Sequence, residues 1–217
     1  MIGEKAVASL FVALVKLVTG TQVRWAGCEP SARQRIYFAN HSSHLDFVVL
    51  WAALPPEVRA LTRPVAARDY WEKSPIRRWL ARSVFDATLI DRGAAASSAP
   101  ASRDEKLEAA RRTVRETAEA LGETRSLILF PEGTRGTGES IAPFKAGLFH
   151  LAEARPDVEL VPCYLANLNR ILPKGEVLMV PFMSFVRIGA PLKVEPGEAK
   201  DDFLVRAREA LVALREA

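Results

Sequence analysis

Short apolar runs rich in β-branched and aromatic residues alternate with longer amphipathic segments along this chain. Runs typical of strands lie at residues 35–39, 126–130, 158–165 and 183–188. Segments with helical periodicity or capping signals lie at residues 47–54, 102–121, 147–154 and 196–217. This alternation predicts an α/β single domain in which helices flank a mostly parallel central sheet. Ligands of such sheets bind beyond the carboxyl ends of the strands, so functional side chains are expected in the loops that follow them.

The first candidate site lies where the strand at residues 35–39 ends and an apolar helix begins. Residues 40–46 are Asn-His-Ser-Ser-His-Leu-Asp. On a continuous helix, residues five apart are separated by about 140°, so His41 must precede the helix if it is to meet Asp46. Ser42 or Ser43 is then the expected N-cap. A carboxylate on one imidazole nitrogen leaves the other nitrogen as a base. The pattern predicts that His41 is a general base oriented by Asp46.

No protein nucleophile accompanies this pair, because the chain has neither a Gly-x-Ser-x-Gly segment nor a cysteine in a reactive-looking neighbourhood. The base is therefore expected to activate a hydroxyl of the substrate. A metal site at His41, His44 and Asp46 is the alternative. Three adjacent ligands without a distal His or Glu set are a poor pattern for zinc or a di-metal centre, so no metal is predicted.

The second candidate site follows the strand at residues 126–130. Residues 130–135 are Phe-Pro-Glu-Gly-Thr-Arg. Pro131 and Gly133 bend the chain, and Gly133 also lets the backbone approach a ligand closely. Arg135 offers a planar set of donors suited to phosphate. The segment predicts an anion-recognition loop.

Together, Asn-His-x4-Asp at residues 40–46 and Phe-Pro-Glu-Gly-Thr-Arg at residues 130–135 resemble the motifs of the glycerolipid acyltransferase family, of the 1-acyl-glycerol-3-phosphate acyltransferase type. Two weaker blocks extend the resemblance: Phe144-Lys145-Ala146-Gly147 and Leu160-Val161-Pro162-Cys163-Tyr164. Residues 86–92 align with the family's Gly-x-x-Phe-Ile-x-Arg block. They keep its isoleucine and arginine, at Ile90 and Arg92, but lack its glycine and phenylalanine.

The resemblance implies an enzyme of phospholipid biosynthesis. Such an enzyme moves a fatty acyl group from an acyl-CoA or acyl-carrier-protein thioester to the hydroxyl of a lysophosphatidate-type acceptor, with no cofactor and no covalent acyl-enzyme. By the same resemblance His41 removes the hydroxyl proton and Asp46 orients His41. The residues that would hold the phosphate side of the acceptor are Arg92, Glu132, Gly133, Thr134 and Arg135. The departures in residues 86–92 leave the acceptor open, and another lyso-lipid such as a lyso-ornithine lipid is an alternative.

Two other classes of function fit parts of the pattern. In a hydrolase, His41 would activate water against a thioester or ester, but the acceptor-binding arginines argue against it. In a non-catalytic lipid-binding protein, His41 would be dispensable, and the intact His-x4-Asp spacing argues against that class.

Residues 1–22 are predicted to form a membrane-associating helix, and residues 23–217 the acyltransferase domain. The apolar run at residues 6–18 is interrupted by Lys16. A helix over this run is about 20 Å long, whereas the hydrocarbon core of a bilayer is about 30 Å thick. We therefore expect it to lie in one leaflet, with packing on the domain as the alternative. A secretory signal peptide fits less well, because no small-x-small site follows the run.

Residues 59–85 form a second candidate membrane segment. Arginines and lysines alternate there with Tyr70, Trp71 and Trp79, and Ser74 followed by a proline marks a helix start. Aromatic rings beside cations suit the lipid headgroup layer. A solvated basic helix face and a surface for single-stranded nucleic acid are the alternatives, but no recognised nucleic-acid motif is present. We expect a peripheral or monotopic protein on the cytoplasmic face of the inner membrane, with no nucleic-acid partner.

Composition agrees with this reading without deciding it. The chain has 217 residues, of which 49% are hydrophobic, and shows no internal repeat or linker. Its formal net charge of +4 favours an anionic partner, a class that includes nucleic acid, membranes and phosphorylated small molecules. Cys28 and Cys163 are isolated, which favours a reducing compartment and a structural role for both.

Overall fold

The structure, a computed structural model, describes residues 2–90, 102–172, 180 and 182–216, with side chains described except at residues 2–8 and 106. The helices of these segments are α1 (Ile2–Thr19), α2 (Asp46–Ala53), α3 (Pro56–Leu61), α4 (Arg68–Trp71), α5 (Pro75–Trp79), α6 (Arg103–Leu121), α7 (Gly147–Ala154), α8 (Leu168–Ile171) and α9 (Lys200–Ala213). Helix α5 continues as a π-helical turn, Leu80–Val84. The strands are β1 (Gln22–Trp25), β2 (Arg35–Ala39), β3 (Thr62–Ala67), β4 (Thr88–Ile90), β5 (Ser126–Leu129), β6 (Glu159–Ala166) and β7 (Phe185–Ile188).

These strands form one sheet in the order β1-β7-β6-β2-β5-β3-β4. Neighbouring strands are parallel except for β6 and β7. The predicted fold class, an α/β domain with a mostly parallel sheet, is confirmed. Strand β2 lies at the centre, and all of its residues are buried, as expected for a strand with helices on both faces.

The two faces of the sheet support separate apolar cores. Tyr37 and Ala39 of β2 point into a core shared with α2, whereas Ile36 and Phe38 point into a core shared with α7 and α9. This division follows from the alternation of side chains along a strand. All residues of β2 are buried, and the strand ends at Ala39. The polar residues that follow Ala39 therefore lie just beyond the carboxyl end of the strand.

Several helix ends follow the local signals in the sequence. Ser102 and Glu105 form the expected capping box of α6, and Ser74 caps α5 by accepting a hydrogen bond from the Arg77 N–H. The predicted cap of α2 is wrong. Helix α2 begins at Asp46, its N-cap residue is Leu45, and no side chain caps it.

Helix α1 packs on the domain along one side only. Val12 is buried in the core, and the ring of Phe11 meets that of Phe85 edge-on, with centroids 5.5 Å apart. Leu10, Leu14 and Leu17 are exposed. No helix in the described segments combines the length and the apolar composition that crossing a bilayer requires. The division into residues 1–22 and 23–217 stays a prediction.

The aromatic residues of the segment 59–85 have different environments. Trp79 is exposed, together with Ile76 on the same helix. Trp71, however, packs against the core, with its ring edge-on to Phe47 and Phe85. Trp71 therefore gives part of its surface to tertiary contacts that the local sequence does not show. Membrane binding by the segment 59–85 stays a prediction.

Candidate active site

The two sequence motifs leave the sheet side by side. Strands β2 and β5 are parallel neighbours in which Phe38 is paired with Leu129, so the loops after them start at the same edge. The loops are then joined by hydrogen bonds. The His41 N–H donates to Oε1 of Glu132 at 2.7 Å, and the Gly136 N–H donates to the His41 C=O at 2.8 Å. Both backbone polar groups of His41 are thus held by the second loop.

Asp46 contacts the imidazole as the spacing predicts. His41 Nδ1 lies 2.7 Å from Oδ2 of Asp46, a side chain that is fully buried. The same oxygen accepts hydrogen bonds from the N–H groups of Ser42, at 2.6 Å, and Ser43, at 2.8 Å. These serines therefore hold Asp46 through their backbones and do not cap α2. With Nδ1–H donating to the carboxylate, Nε2 carries the free lone pair.

A second aromatic ring fixes the plane of the imidazole. The ring of His41 stacks on Phe130, with centroids 4.3 Å apart and planes 20° apart. The side chain remains 24% exposed. Stacking and the bond to Asp46 leave the ring little freedom to rotate, while its open edge faces a cavity.

This cavity has a volume of about 500 Å³, within the range of small-molecule sites. Its polar end is formed by His41, Gly133, Thr134, Arg135 and Lys145. The remaining wall is largely apolar and includes Val65, Ile90, Val114, Leu129, Leu148 and Leu151. The wall combines strands β3, β4 and β5 with helices α6 and α7. A molecule bound here would place a polar group beside His41 and an apolar group beneath α6.

Arg135 has an unsatisfied polar atom at this polar end. One of its terminal nitrogens is buried and, within the described segments, has no hydrogen-bond acceptor. Buried donors are nearly always paired in folded proteins. A buried guanidinium nitrogen without an acceptor at a cavity wall is therefore suited to an anionic ligand.

The structure gives Glu132 a different position from the predicted phosphate contact. Its side chain is 2% exposed and is not part of the cavity wall. One carboxylate oxygen accepts the His41 N–H, and the other accepts the Ala142 N–H at 2.8 Å. The prediction that Glu132 faces the acceptor's phosphate does not agree with this geometry, because both oxygens are occupied by backbone amides. Glu132 instead connects the loop to His41.

The other predicted ligands are placed as follows. Gly133, with φ +71°, and Thr134 lie on the cavity wall with Arg135. Arg92 lies outside the described residues, so its role stays a prediction. His44, considered as a metal ligand, instead stacks on Tyr70, with ring centroids 5.1 Å apart. Burial lowers the pKa of His44, and the nearby charge of Arg135 lowers it further.

Comparisons with known proteins place both motifs within one family. The acyltransferase family model matches residues 22–166, which span both motifs and the central strands. The chain belongs to the acyltransferase family.

Relatives of this chain include proteins named as 1-acyl-sn-glycerol-3-phosphate acyltransferases. The chain is 28% identical over 183 residues to 1-acyl-sn-glycerol-3-phosphate acyltransferase of Limnanthes douglasii, a match that covers 84% of this chain and 58% of that protein. It is 28% identical over 193 residues to 1-acyl-sn-glycerol-3-phosphate acyltransferase alpha of Homo sapiens, covering 87% of this chain and 60% of the relative. The chain therefore spans about three fifths of the length of these relatives.

The fold is also that of a solved structure. The 1-acyl-sn-glycerophosphate (LPA) acyltransferase PlsC from Thermotoga maritima superposes with a TM-score of 0.70 at 22% identity, covering 98% of this chain and 80% of that chain. At this identity the likeness concerns the architecture of the acyltransferase domain.

Two polar residues at this site were given no role from the sequence. The amide of Asn40 exchanges two hydrogen bonds with the backbone of Leu165, at 2.9 and 2.8 Å, and so anchors the start of the His41 loop to β6. Its place in the Asn-His-x4-Asp motif, directly after a buried strand, was the available indication. Lys145 lies on the cavity wall although it is ten residues beyond Arg135, and no local spacing indicates that contact.

Proposed function

We propose that this chain transfers a fatty acyl group from an acyl-CoA or acyl-carrier-protein thioester to the hydroxyl of a lysophosphatidate-type acceptor, forming phosphatidic acid for phospholipid biosynthesis. The observation that carries the proposal is the Asp46–His41 pair beside a cavity that Arg135 also lines, where one terminal nitrogen of Arg135 has no hydrogen-bond acceptor among the described residues. The names of the relatives support the choice of acceptor.

In this reaction His41 acts as the general base. Nε2 takes the proton of the acceptor hydroxyl as its oxygen attacks the thioester carbonyl carbon. The tetrahedral intermediate collapses, the carbon–sulfur bond breaks, and the thiolate takes up the proton that His41 carries. Asp46, which is buried and held by two backbone amides, stabilises the transient imidazolium. A thioester is already activated, so positioning and one base supply most of what the reaction needs.

The lining of the cavity suits both the phosphate headgroup and the hydrocarbon of the substrates. Arg135 binds the phosphate of the acceptor beside His41, and the apolar wall beneath α6 accommodates hydrocarbon. Thr134 and Gly133 line the phosphate end, where the glycine backbone permits close approach of the ligand.

A product survey by mass spectrometry tests the proposal. Purified protein is incubated with palmitoyl-CoA or palmitoyl-carrier protein and with lysophosphatidate, a lyso-ornithine lipid or no acceptor. We expect phosphatidic acid from the wild type, none from His41→Ala, and a raised KM for lysophosphatidate in Arg135→Ala. His150→Ala is the matched control, because His150 is exposed on α7 and pairs with Glu153.

Three results would change the assignment. Free fatty acid formed at a rate indifferent to any acceptor would identify a hydrolase. Transfer only to the lyso-ornithine lipid would keep the reaction and replace the acceptor. A near wild-type kcat in a folded His41→Ala protein would refute the role of His41 as base.

We further propose that the protein works on the cytoplasmic face of the inner membrane, as a peripheral or monotopic protein. The support is the exposed leucines of α1 together with exposed Ile76 and Trp79 on α5. The π-helical turn that continues α5, Leu80–Val84, packs against α1. Basic residues flank this apolar surface, including Arg77 and Arg78. Apolar side chains beside cations suit the headgroup layer of an anionic membrane.

Vesicle co-sedimentation tests this membrane surface. Leu14→Ser combined with Trp79→Ala should reduce binding to vesicles that contain phosphatidylglycerol, without lowering the thermal unfolding midpoint. Leu107→Ser is the control, because Leu107 is also exposed but lies on α6. Equal binding by all variants would refute the surface assignment.

A further inference from the structure

Lys145, which lies outside both principal motifs, contributes a second positive charge to the polar end of the cavity. Its backbone N–H donates to the Pro131 C=O at 2.8 Å, which ties it to the loop that carries Arg135. Its side chain is part of the same cavity wall as those of His41 and Arg135. Two cations from different parts of the connection between β5 and α7 therefore line the same cavity.

The stem of Lys145 packs along the backbone of the phosphate loop. A Cβ atom added at Gly133 would lie 3.4 Å from Cγ and 3.6 Å from Cε of Lys145. Gly133 has φ +71°, in the left-handed region that favours glycine. Because the methylene groups run past this glycine, the direction of the lysine is set by the loop and is not that of a freely solvated side chain.

Lys145 and Arg135 lack compensating carboxylates among the residues that the structure describes. Some other cations are paired, as Arg155 is with Asp157 at 2.9 Å. Within the described segments neither Lys145 nor Arg135 makes an ion pair, and one nitrogen of Arg135 is buried without an acceptor. The carboxylate of Glu132 directs both oxygens to backbone amides. The polar end of the cavity therefore attracts a ligand with more than one negative charge.

We propose that Lys145 is the second cation for the acceptor headgroup and that, with Arg135, it makes the site select a phosphomonoester dianion over a singly charged phosphodiester. This inference rests on the proposed function and concerns the same site. A phosphomonoester carries close to two negative charges above its second pKa of about 6, whereas a phosphodiester carries one. A dianion gains binding energy from both Lys145 and Arg135. A monoanion that is already bound by Arg135 gains little further binding energy from Lys145.

Direct binding tests this selection without requiring turnover. Isothermal titration compares short-chain lysophosphatidate with lysophosphatidylglycerol of the same chain length. Lys145→Met keeps the stem along Gly133 and removes the charge. A charged hydrogen bond contributes about 1.5–3 kcal/mol, so we expect Kd for lysophosphatidate to rise about 10- to 100-fold. Kd for lysophosphatidylglycerol should change less than threefold. Lys145→Arg should restore selectivity, and Lys145→Gln gives a second neutral variant.

Two further measurements separate charge from structure. Kd of the wild type for lysophosphatidate should fall as pH rises through the second phosphate pKa, and this fall should be much smaller in Lys145→Met. Lys193→Met is the matched control, because Lys193 follows Leu192, which pairs with Leu160 near the amino end of β6. The Kd of Lys193→Met for lysophosphatidate should equal that of the wild type.

Each outcome has a distinct meaning. Unchanged Kd values in Lys145→Met, or equal losses for both lipids, overturn the selectivity role of Lys145. Wild-type protein that binds both lipids equally also overturns it. Intact selective binding without any acyl transfer refutes the proposed reaction alone and leaves the role of Lys145 in place.

Discussion

Replacing Glu132 with Gln tests whether this carboxylate supports the site or faces the substrate. In the structure one oxygen accepts the His41 N–H at 2.7 Å and the other accepts the Ala142 N–H at 2.8 Å. Gln has the same shape and one carbonyl oxygen. Its NH2 group, however, must face one of the two backbone donors, so that donor loses its acceptor.

The expected cost follows from these two bonds. The bond that the amide oxygen retains becomes neutral, which costs about 1 kcal/mol relative to a charged acceptor. The other backbone N–H loses a charged hydrogen bond that contributes about 1.5–3 kcal/mol and meets a second donor in a buried site. We therefore expect Glu132→Gln to lower the free energy of unfolding by about 3–4 kcal/mol, near the upper end of single substitutions.

Urea unfolding followed by circular dichroism measures this change. Glu153→Gln is the matched control, because this glutamate is exposed on α7 and, among the described residues, pairs only with His150. Loss of its charge should cost less than about 1 kcal/mol. In the acyl-transfer assay Glu132→Gln should lower kcat, since His41 loses its backbone anchor, with KM for the acceptor within threefold. Stability within 1 kcal/mol of the wild type, or a raised KM at unchanged kcat, would show that Glu132 faces the substrate.

The remaining predictions concern the carboxylate of Asp46 beside His41, the packing of Trp71 on the core and the dependence of stability on pH. Asp46→Asn keeps an acceptor for the backbone donors but removes the negative charge beside His41. We therefore expect kcat to fall about 10²- to 10⁴-fold with little change in KM. A kcat within threefold of the wild type would contradict the orienting role of Asp46. Trp71→Ala should lower the free energy of unfolding by about 3 kcal/mol, because Trp71 packs on the core. Trp79 is exposed, so Trp79→Ala should cost less than about 1 kcal/mol in the same urea titrations. Equal costs would contradict the packing of Trp71 on the core. Burial lowers the folded-state pKa of His44 from 6.5, so the unfolded chain binds the proton more readily and stability should decrease as pH falls below 6.5. This part of the pH dependence should be absent in His44→Phe. If the free energy of unfolding of the wild type and of His44→Phe changes with the same slope between pH 7.5 and 5.5, His44 does not contribute to the pH dependence.

The agreement between sequence and structure is closest where the determinants are local. Strand β2 and helix α7 have the predicted bounds, and the α6 capping box forms because Ser102 and Glu105 are three residues apart. The contact of His41 with Asp46 follows from a spacing of five residues across a loop. The cap predicted for α2 failed because Ser42 and Ser43 bind the Asp46 carboxylate through their backbone N–H groups.

The sequence by itself determined the α/β layering, the positions of the two motif loops and the contact between His41 and Asp46, since each depends on side-chain periodicity or on residues a few positions apart. Only the tertiary structure decided that Glu132 holds the backbone of His41, that Trp71 packs against the core and that Lys145 lines the same cavity as Arg135. These contacts join residues that are ten or more positions apart along the chain. They depend on the order of the parallel strands and on the direction in which each loop leaves the sheet, which no local pattern specifies.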